Sequence, residues 1–214
     1  MSMKKFKVII ADDHHIVRAG IKQIIQECPE MAPPDEASDG QELIEKARKN
    51  TYDAILLDIS MPGRDGIDIL KQLRSEKIGV PVLMLSVYSE EQYALRALKA
   101  GASGYLTKAT APEELIEAIL KITAGKKYIT HSLAEQLAVN IDQDVEKQPH
   151  ETLSDREFQI LCRIASGKTV SEIAREMFIN VKTVSTYRRR ILDKMNMKNN
   201  SELTHYAIKN GLID

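Results

Sequence analysis

Between residues 5 and 125, short apolar runs alternate with longer amphipathic segments. Four runs are clear in the sequence, FKVIIA, DAILLD, PVLMLS and SGYLTK, and a shorter, polar one is DEAS. Strand-length apolar runs that alternate with helix-length segments predict βαβ units and a parallel sheet. This alternation therefore restricts the first part of the chain to a doubly wound α/β domain.

Helix signals support the same architecture. Capping boxes, in which a hydroxyl and a later Glu or Gln satisfy each other's backbone amides, mark helix starts. The predicted pairs are Ser38 with Gln41, Ser89 with Gln92, Thr110 with Glu113 and, further along, Ser154 with Glu157. Gly101 and Gly125 fall where helices should end. We expect a flavodoxin-like domain of five parallel strands and five helices over residues 1–126.

The chain changes character after this domain. Residues 141–152, IDQDVEKQPHET, are polar and acidic and have no apolar periodicity, which is typical of a linker. The preceding HSLAEQLAV could form one short helix, so we expect a partly helical linker over residues 127–152. Residues 153–214 have only helix-like periodicity and predict a small all-α domain of four helices.

Charge and cysteine usage narrow the class of protein. Residues 151–214 carry 11 basic and 8 acidic side chains, a net charge of +3, and the rest of the chain carries −4. This asymmetry fits an acidic regulatory part joined to a nucleic-acid-binding part. The sequence has no bilayer-length apolar run, and its two distant cysteines favour buried thiols in a reducing compartment. We therefore expect a cytoplasmic protein without a membrane partner.

Polar side chains follow the predicted strands at their carboxyl ends. Asp12 and Asp13 end the first strand, Asp58 ends the third, Ser86 ends the fourth, and Lys108 closely follows the fifth. Functional groups of doubly wound sheets gather at this edge. We therefore expect these five side chains to converge on one patch.

The chemistry of such a patch is restricted. Three close carboxylates repel one another and stay ionised only beside a counter-charge, for which Mg²⁺ is well suited. Asp58, on the central strand, is best placed to attack a phosphoryl group and form an aspartyl phosphate. Asp12 and Asp13 would then hold the metal, Lys108 would contact the phosphate, and Ser86 could hydrogen-bond its oxygens.

Each residue alone also has an ordinary structural explanation. Asp12–Asp13 could cap the first helix, Asp58 could cap a turn, and a single lysine such as Lys108 is usually solvated. The pair His14–His15 is better explained as a helix start than as a metal site. The phosphoryl-transfer interpretation is preferred because the acids and the lysine fall at one sheet edge in the expected order.

The segments IIADDHH, LLDISMPGRDG, VLMLS and GYLTK resemble the receiver domains of bacterial two-component response regulators. The resemblance implies that Asp58 is the phosphoacceptor. It implies a Mg²⁺ (or Mn²⁺) site made by Asp12, Asp13, Asp58 and the backbone carbonyl of Ser60. The remaining implied roles are a switch hydroxyl, a switch aromatic and a phosphate-contacting lysine, at Ser86, Tyr105 and Lys108. Ala109 departs from the proline that many receivers have after this lysine, so a cis peptide there would be a costly non-proline one.

In the C-terminal part, VSEIAREMFINVKTVSTYRRRILDKM contains two short helices joined at residues 178–181. With the second helix wound at about 100° per residue, its apolar face is formed by Val184, Tyr187, Ile191 and Met195. The opposite face is formed by Lys182, Ser185, Thr186, Arg189 and Arg190. Arg188 lies nearer the core edge. A basic and small polar face suits the major groove of DNA, although a YRRR run by itself is more often only a solvated face.

The segments LSDREFQIL, IASGKTVSEIA, VKTVSTYRRRI and KNNSEL resemble LuxR/NarL-type DNA-binding domains. The resemblance implies that Ser185, Thr186 and Arg189 face base edges. It places four further side chains near phosphates, namely Lys182, Thr183, Arg188 and Lys194. Tyr187 departs from the histidine that is frequent at its position.

The two resemblances together predict a response regulator of the NarL/FixJ type rather than an enzyme. A histidine kinase would phosphorylate Asp58 and thereby change homodimerisation and promoter binding, with RNA polymerase as a further partner. One alternative is a magnesium-dependent phosphohydrolase with an aspartyl-phosphate intermediate. Such enzymes of the haloacid-dehalogenase type have a second acid where this chain has Ser60, and they carry a cap domain. Another alternative is a receiver joined to a protein- or RNA-binding domain.

Overall fold

The chain folds into two compact units, Met1–Ala134 and Glu135–Asp214. A computed structural model describes residues 5–61, 64–88, 90–131, 133–135 and 148–213. Residues 127–131 and 133–134, predicted as the start of the linker, belong to the first unit. The amide of Tyr128 donates to the carbonyl of Ser103 at 2.8 Å, and the side chains of Tyr128 and Leu133 are buried.

The first unit is a parallel five-stranded sheet between two layers of helices, as the alternating pattern predicts. The strands are β1 Val8–Ala11, β2 Asp35–Ala37, β3 Ala54–Asp58, β4 Val82–Ser86 and β5 Gly104–Thr107. The helices are α1 His15–Gln26, α2 Gly40–Lys49, α3 Gly66–Ser75, α4 Glu90–Lys99 and α5 Pro112–Thr123. The strand order is β2-β1-β3-β4-β5, and all pairs are parallel. The central strands β1, β3 and β4 are buried throughout, because helices cover both faces of the sheet.

Two predicted capping boxes of this unit are wrong by one residue. Asp39, rather than Ser38, is the N-cap of α2, and its side chain accepts the amide three residues later at 2.9 Å. Ala111, rather than Thr110, precedes α5, whose first helical residue is a proline that suits this position. The predicted box of Ser89–Gln92 lies outside the described side chains.

The described residues 153–213 of the second unit form four helices, as predicted. They are α6 Asp155–Ala165, α7 Val170–Glu176, α8 Val181–Met195 and α9 Asn200–Lys209, preceded by a 3-10 turn at Pro149–Thr152. The predicted capping box of Ser154 with Glu157 is confirmed at the start of α6. The predicted inner face of α8 is buried at Val184, Ile191 and Met195 and half-buried at Tyr187.

Among the described residues, no helix combines the length and the apolar content needed to cross a bilayer.

Candidate functional site

Asp58 is the last residue of β3, and its side chain is completely buried. Its Oδ1 accepts the amide of Ser60 at 3.2 Å, a local turn contact. The following helix α3 has a different cap, because Asp65 accepts the amide of Ile67 at 2.9 Å. Capping of the next helix therefore does not explain Asp58.

Gly66 explains why the loop after Asp58 returns so closely to the strand. Its amide donates to the carbonyl of Ile59 at 2.9 Å. A Cβ added to Gly66 would lie 2.1 Å from the backbone oxygen of Asp58, far inside van der Waals contact. Only glycine lets α3 start against the strand end that carries Asp58.

Lys108 joins two of the predicted acids. Its ammonium Nζ lies 2.6 Å from Oδ2 of Asp12 and 2.7 Å from Oδ2 of Asp58. The amide of Lys108 donates to the carbonyl of Ser86 at 2.7 Å, which continues the β4–β5 ladder past the last strand residue. The lysine predicted from its position after β5 thus lies between the carboxylates at the ends of β1 and β3.

The acidic pair Asp12–Asp13 is placed by the bend that leads into α1. Oδ1 of the buried Asp12 accepts the amide of His14 at 2.7 Å. His14 is the N-cap of α1, and its side chain makes no capping hydrogen bond. The helix begins at His15, as expected, and neither aspartate is the N-cap.

His14 also belongs to the acidic cluster, a feature that the sequence did not predict. Its Nδ1 lies 2.9 Å from Oδ1 of Asp13 and 3.3 Å from Oδ1 of Asp12. Ligand atoms of Asp12, Asp13, His14 and Asp58 all lie within 4.8 Å of one another. A signal was present in the sequence, since His14 directly follows the two acids, but helix starts are the commoner reason for such a residue.

The cluster has the donor atoms that a hard divalent cation requires. Three buried carboxylate oxygens have only a basic side chain, Lys108 or His14, as a polar partner among the described residues: Asp12 Oδ2, Asp13 Oδ1 and Asp58 Oδ2. Carboxylate oxygens with unused lone pairs match the preference of Mg²⁺ and Mn²⁺. The residues present therefore fit the predicted metal. The role of the Ser60 carbonyl stays a prediction.

Burial and neighbouring charge shift the pKa values in this cluster. Burial raises the pKa of Asp58, and the charge of Asp12 raises it further, while Lys108 opposes both effects. Burial alone would lower the pKa of Lys108, but the carboxylates of Asp58 and Asp12 outweigh it and raise this pKa. The lysine therefore stays charged between two acids, one of which resists ionisation.

Ser86 and Tyr105 both contact the loop between β4 and α4 at Tyr88. The hydroxyl of the buried Ser86 accepts the amide of Tyr88 at 3.0 Å. The hydroxyl of Tyr105 donates to the carbonyl of the same residue at 2.8 Å. The Tyr105 ring is completely buried in this structure. Peptide bonds of the described residues, including the one before Ala109, contain no cis form.

Most of the predicted DNA-contacting side chains lie on the exposed face of α8. The exposed residues are Lys182, Thr183, Ser185, Thr186, Arg189, Arg190 and Lys194. The hydroxyl of Ser185 donates to the carbonyl of Val181 at 3.0 Å, and that of Thr186 to the carbonyl of Lys182 at 2.9 Å. The guanidinium of Arg190 lies 5.9 Å from the ring centre of Tyr187.

Two of the predicted phosphate contacts are engaged inside the unit. Nε of the half-buried Arg188 donates to Oδ1 of Asn200 at 2.6 Å. Nζ of Lys194 lies 2.7 Å from Oε2 of Glu157, an oxygen that also accepts the amide of Ser154 at 2.8 Å. Lys194 thus ties the end of α8 to the capping box of α6.

Residues 8–120 match the response regulator receiver domain, and residues 151–207 match the bacterial regulatory proteins of the luxR family. The chain is 37% identical over 208 residues to the response regulator UvrY of Escherichia coli (strain K12), which covers 97% of this chain and 95% of UvrY. It is 34% identical over 209 residues to the response regulator GacA of Pseudomonas aeruginosa, at 97% and 98% coverage.

A solved structure extends this similarity. It contains RcsB of Salmonella enterica serovar Typhimurium bound to promoter rprA in the presence of the phosphomimetic BeF3-. The TM-score is 0.66 at 25% identity, with 95% of this chain and 98% of that chain covered. With both domains matched in order over nearly the whole chain, this protein belongs to the two-component response regulators of the NarL/FixJ family, which join a receiver domain to a LuxR-type helix-turn-helix DNA-binding domain.

Proposed function

We propose that a partner histidine kinase phosphorylates Asp58, and that the phosphorylated protein dimerises and binds promoter DNA to regulate transcription. The observation that carries the proposal is the buried Asp58 carboxylate with the Lys108 ammonium 2.7 Å away and Asp12 beside both. In this proposal the protein is a cytoplasmic regulator rather than an enzyme, because its two partners are a kinase and chromosomal DNA.

The transfer requires one nucleophile and several positioning groups. An oxygen of Asp58 bonds to phosphorus while the phosphorus–nitrogen bond to the donor histidine breaks, and the imidazole nitrogen keeps the electron pair and takes up a proton. Asp12 and Asp13 would hold Mg²⁺ or Mn²⁺, together with Asp58 and the carbonyl of Ser60. When bound, the cation neutralises charge on the transferred group. Lys108, already in contact with the Asp58 carboxylate, pairs with the phosphoryl oxygens.

The signal then leaves the site through the loop at Tyr88. Ser86, whose hydroxyl accepts the Tyr88 amide, turns its own proton towards the phosphoryl group. Tyr105 holds the Tyr88 carbonyl, so a movement of this loop is coupled to the ring. Phosphorylation thereby shifts a two-state equilibrium on the face formed by α4, β5 and α5, which leads to dimerisation or to release of the C-terminal domain.

The output is sequence-specific binding by α8. Ser185, Thr186 and Arg189 reach base edges in the major groove. At its border Lys182 neutralises a phosphate and the hydroxyl of Thr183 donates a hydrogen bond to one. A homodimer places two such helices on two half-sites and can recruit RNA polymerase. The structure of RcsB on a promoter with a phosphomimetic supports this reading for a similar protein.

The first test is labelling of the purified protein with radioactive acetyl phosphate in the presence of Mg²⁺. We expect one acid-stable, base-labile label on wild type, no label in EDTA, and none on Asp58→Ala. Asp68→Ala, which removes an acid of the neighbouring helix α3, is the matched control and should label normally. Undiminished labelling of Asp58→Ala contradicts the site, and sustained turnover of small phosphate esters would favour the phosphohydrolase alternative.

The second test is selection of binding sites from random DNA, with and without prior phosphorylation. We expect an enriched sequence made of two half-sites and a tighter Kd for the phosphorylated protein. Failure to enrich any sequence in either state contradicts the proposed output.

A further inference from the structure

The turn between α7 and α8 contains an aromatic residue in an unfavourable backbone conformation. The amide of Phe178 donates to the carbonyl of Arg175 at 3.3 Å, and that of Ile179 to the carbonyl of Ala174 at 3.0 Å. This pair of bonds is a Schellman motif, which requires a left-handed residue just after the helix. Phe178 is that residue, with a φ of 52°.

Phenylalanine is an unusual choice at this position. Among the described residues, the other left-handed positions are held by four glycines and by the polar residues Lys77 and Asn196. Glycine adopts this conformation without cost, whereas the Cβ of a bulky residue crowds the following carbonyl. Phe178 therefore lowers the stability of the turn relative to the glycine that the same chain uses elsewhere.

The ring of Phe178 does not recover this cost by burial. The residue is 71% exposed, and Val181, the first residue of α8, is 42% exposed. A strained aromatic residue that leaves most of its apolar surface in water contributes little to the folded unit. We therefore expect the exposed ring to contact a binding partner of this unit.

The position of Phe178 indicates that this partner is DNA. Phe178 lies three residues before Val181, the first residue of α8. It is therefore close to the N-terminal part of α8, where Lys182 and Ser185 are exposed. The N-terminal part of a recognition helix enters the major groove. In the proposed binding mode Lys182 lies beside a phosphate there and Ser185 faces a base edge, so a ring just before α8 lies at the border of the groove. In the major groove, the C5-methyl group of thymine is the apolar feature that a phenylalanine ring can contact.

We infer that Phe178 is a specificity-determining residue that packs on the methyl group of a thymine at one end of each half-site. This inference rests on the proposed DNA binding by α8. It adds an apolar contact to a surface whose other predicted contacts are charged or hydroxyl-bearing, and it predicts a required thymine in the selected sequence.

The test uses the full chain, the selected DNA site and Phe178→Gly. We expect the Kd for that site to rise about tenfold, a loss typical of one removed base contact, while the Tm stays equal or increases. Asn196→Gly is the matched control, since it changes the left-handed residue at the other end of α8 and should leave the Kd unchanged. A lower Tm with an unchanged Kd means that the ring serves the fold, which overturns the inference.

Replacement of each thymine by deoxyuridine removes only the methyl group and completes the test. One replacement per half-site should weaken binding by wild type and have no further effect on Phe178→Gly. Equal losses for both proteins at every thymine overturn the inference while leaving the proposed function intact. Absence of any sequence preference in wild type contradicts the proposed function instead.

Discussion

At the scale of single residues, Asp58 combines reactivity with a cost in stability. Its folded-state pKa is raised above the ordinary value of 3.8, chiefly by burial. A carboxyl whose pKa is raised on folding favours the folded state at low pH, where it is protonated. That contribution is lost as the pH rises through the folded-state pKa. At neutral pH the ionised Asp58 therefore lowers the free energy of unfolding.

Asp58→Asn should consequently increase the free energy of unfolding at pH 7 in EDTA. The increase should shrink as the pH falls and disappear below the ordinary carboxyl pKa of 3.8, where wild type is protonated as well. Urea denaturation of both proteins across this pH range measures the effect. Mg²⁺ should stabilise wild type more than Asp58→Asn. A difference that is constant over the whole pH range would contradict the assigned cause.

Sequence patterns located these residues because strand ends are easy to recognise. The apolar run that ends at Asp58 and the run that precedes Asp12 both set their acids at the same sheet edge. The contact of His14 with Asp13 depends on the exact bend before α1, which no periodicity encodes. The burial of the Tyr105 ring could not be predicted either, because the resemblance implies a role for this residue and not a side-chain conformation.

At the scale of elements, the start of α3 is fixed by its approach to β3. Gly66→Ala places a Cβ 2.1 Å from the backbone oxygen of Asp58, so strand and helix have to separate. We expect a loss of about 3 kcal/mol in stability, in the range of severe overpacking, and slower labelling of Asp58. Gly20→Ala in α1 is the matched control, because nothing lies within 4 Å of its added Cβ.

The control should behave in the opposite way. Alanine is favoured over glycine inside a helix by about 1 kcal/mol, so Gly20→Ala should be slightly more stable and label normally. Chemical denaturation and acetyl phosphate labelling of the two variants give both readouts. Equal stability of the two variants would mean that α3 does not need this close approach.

Helix α8 contains one lysine in an ion pair within the unit and another that is proposed to contact DNA. Both Lys194 and Lys182 are exposed, but Lys194 is paired with the nearly buried Glu157, whereas Lys182 lies at the start of the helix. Lys194→Met should lower the stability of the DNA-binding unit by about 1 kcal/mol and leave the salt dependence of DNA binding unchanged. Lys182→Met should leave stability unchanged and reduce the salt slope by about one.

Thermal unfolding and DNA titrations at several salt concentrations distinguish the two lysines. A reduced salt slope for Lys194→Met would instead support its predicted role as a phosphate contact. The resemblance implies a phosphate contact for Lys194 but carries no information on side-chain partners within this chain, so the ion pair with Glu157 could not be predicted. The wrong N-cap of α2 has a similar reason. Ser38 and Asp39 are both good N-cap residues, and only the local backbone conformation selects Asp39.

At the scale of the whole molecule, the two units should fold and act separately. A fragment of residues 1–135 should unfold cooperatively and accept label on Asp58, and a fragment of residues 148–214 should bind DNA without phosphorylation. A shorter fragment of residues 1–126 removes the buried Tyr128 and Leu133. It should be less stable than the longer one by about 3 kcal/mol, the value for burial of one or two apolar side chains.

Circular dichroism during thermal unfolding compares the three fragments. Equal stability of the two receiver fragments would mean that residues 127–135 belong to the linker, as the sequence pattern predicted. The pattern missed this extension because Tyr128 packs through tertiary contacts, with its hydroxyl donating to Glu114 at 2.7 Å, and not through any periodicity of its own.

The complete burial of Asp58 also bears on how fast water could hydrolyse a phosphoryl group bound to it. An acyl phosphate is lost when water reaches it, and the enclosed carboxylate lies where the described neighbours leave no exposed surface. If Asp58 is phosphorylated as proposed, the lifetime of the acyl phosphate should depend on how often local opening admits water to the buried carboxylate. The packing around Asp58 would then set the duration of the response as well as the position of the nucleophile.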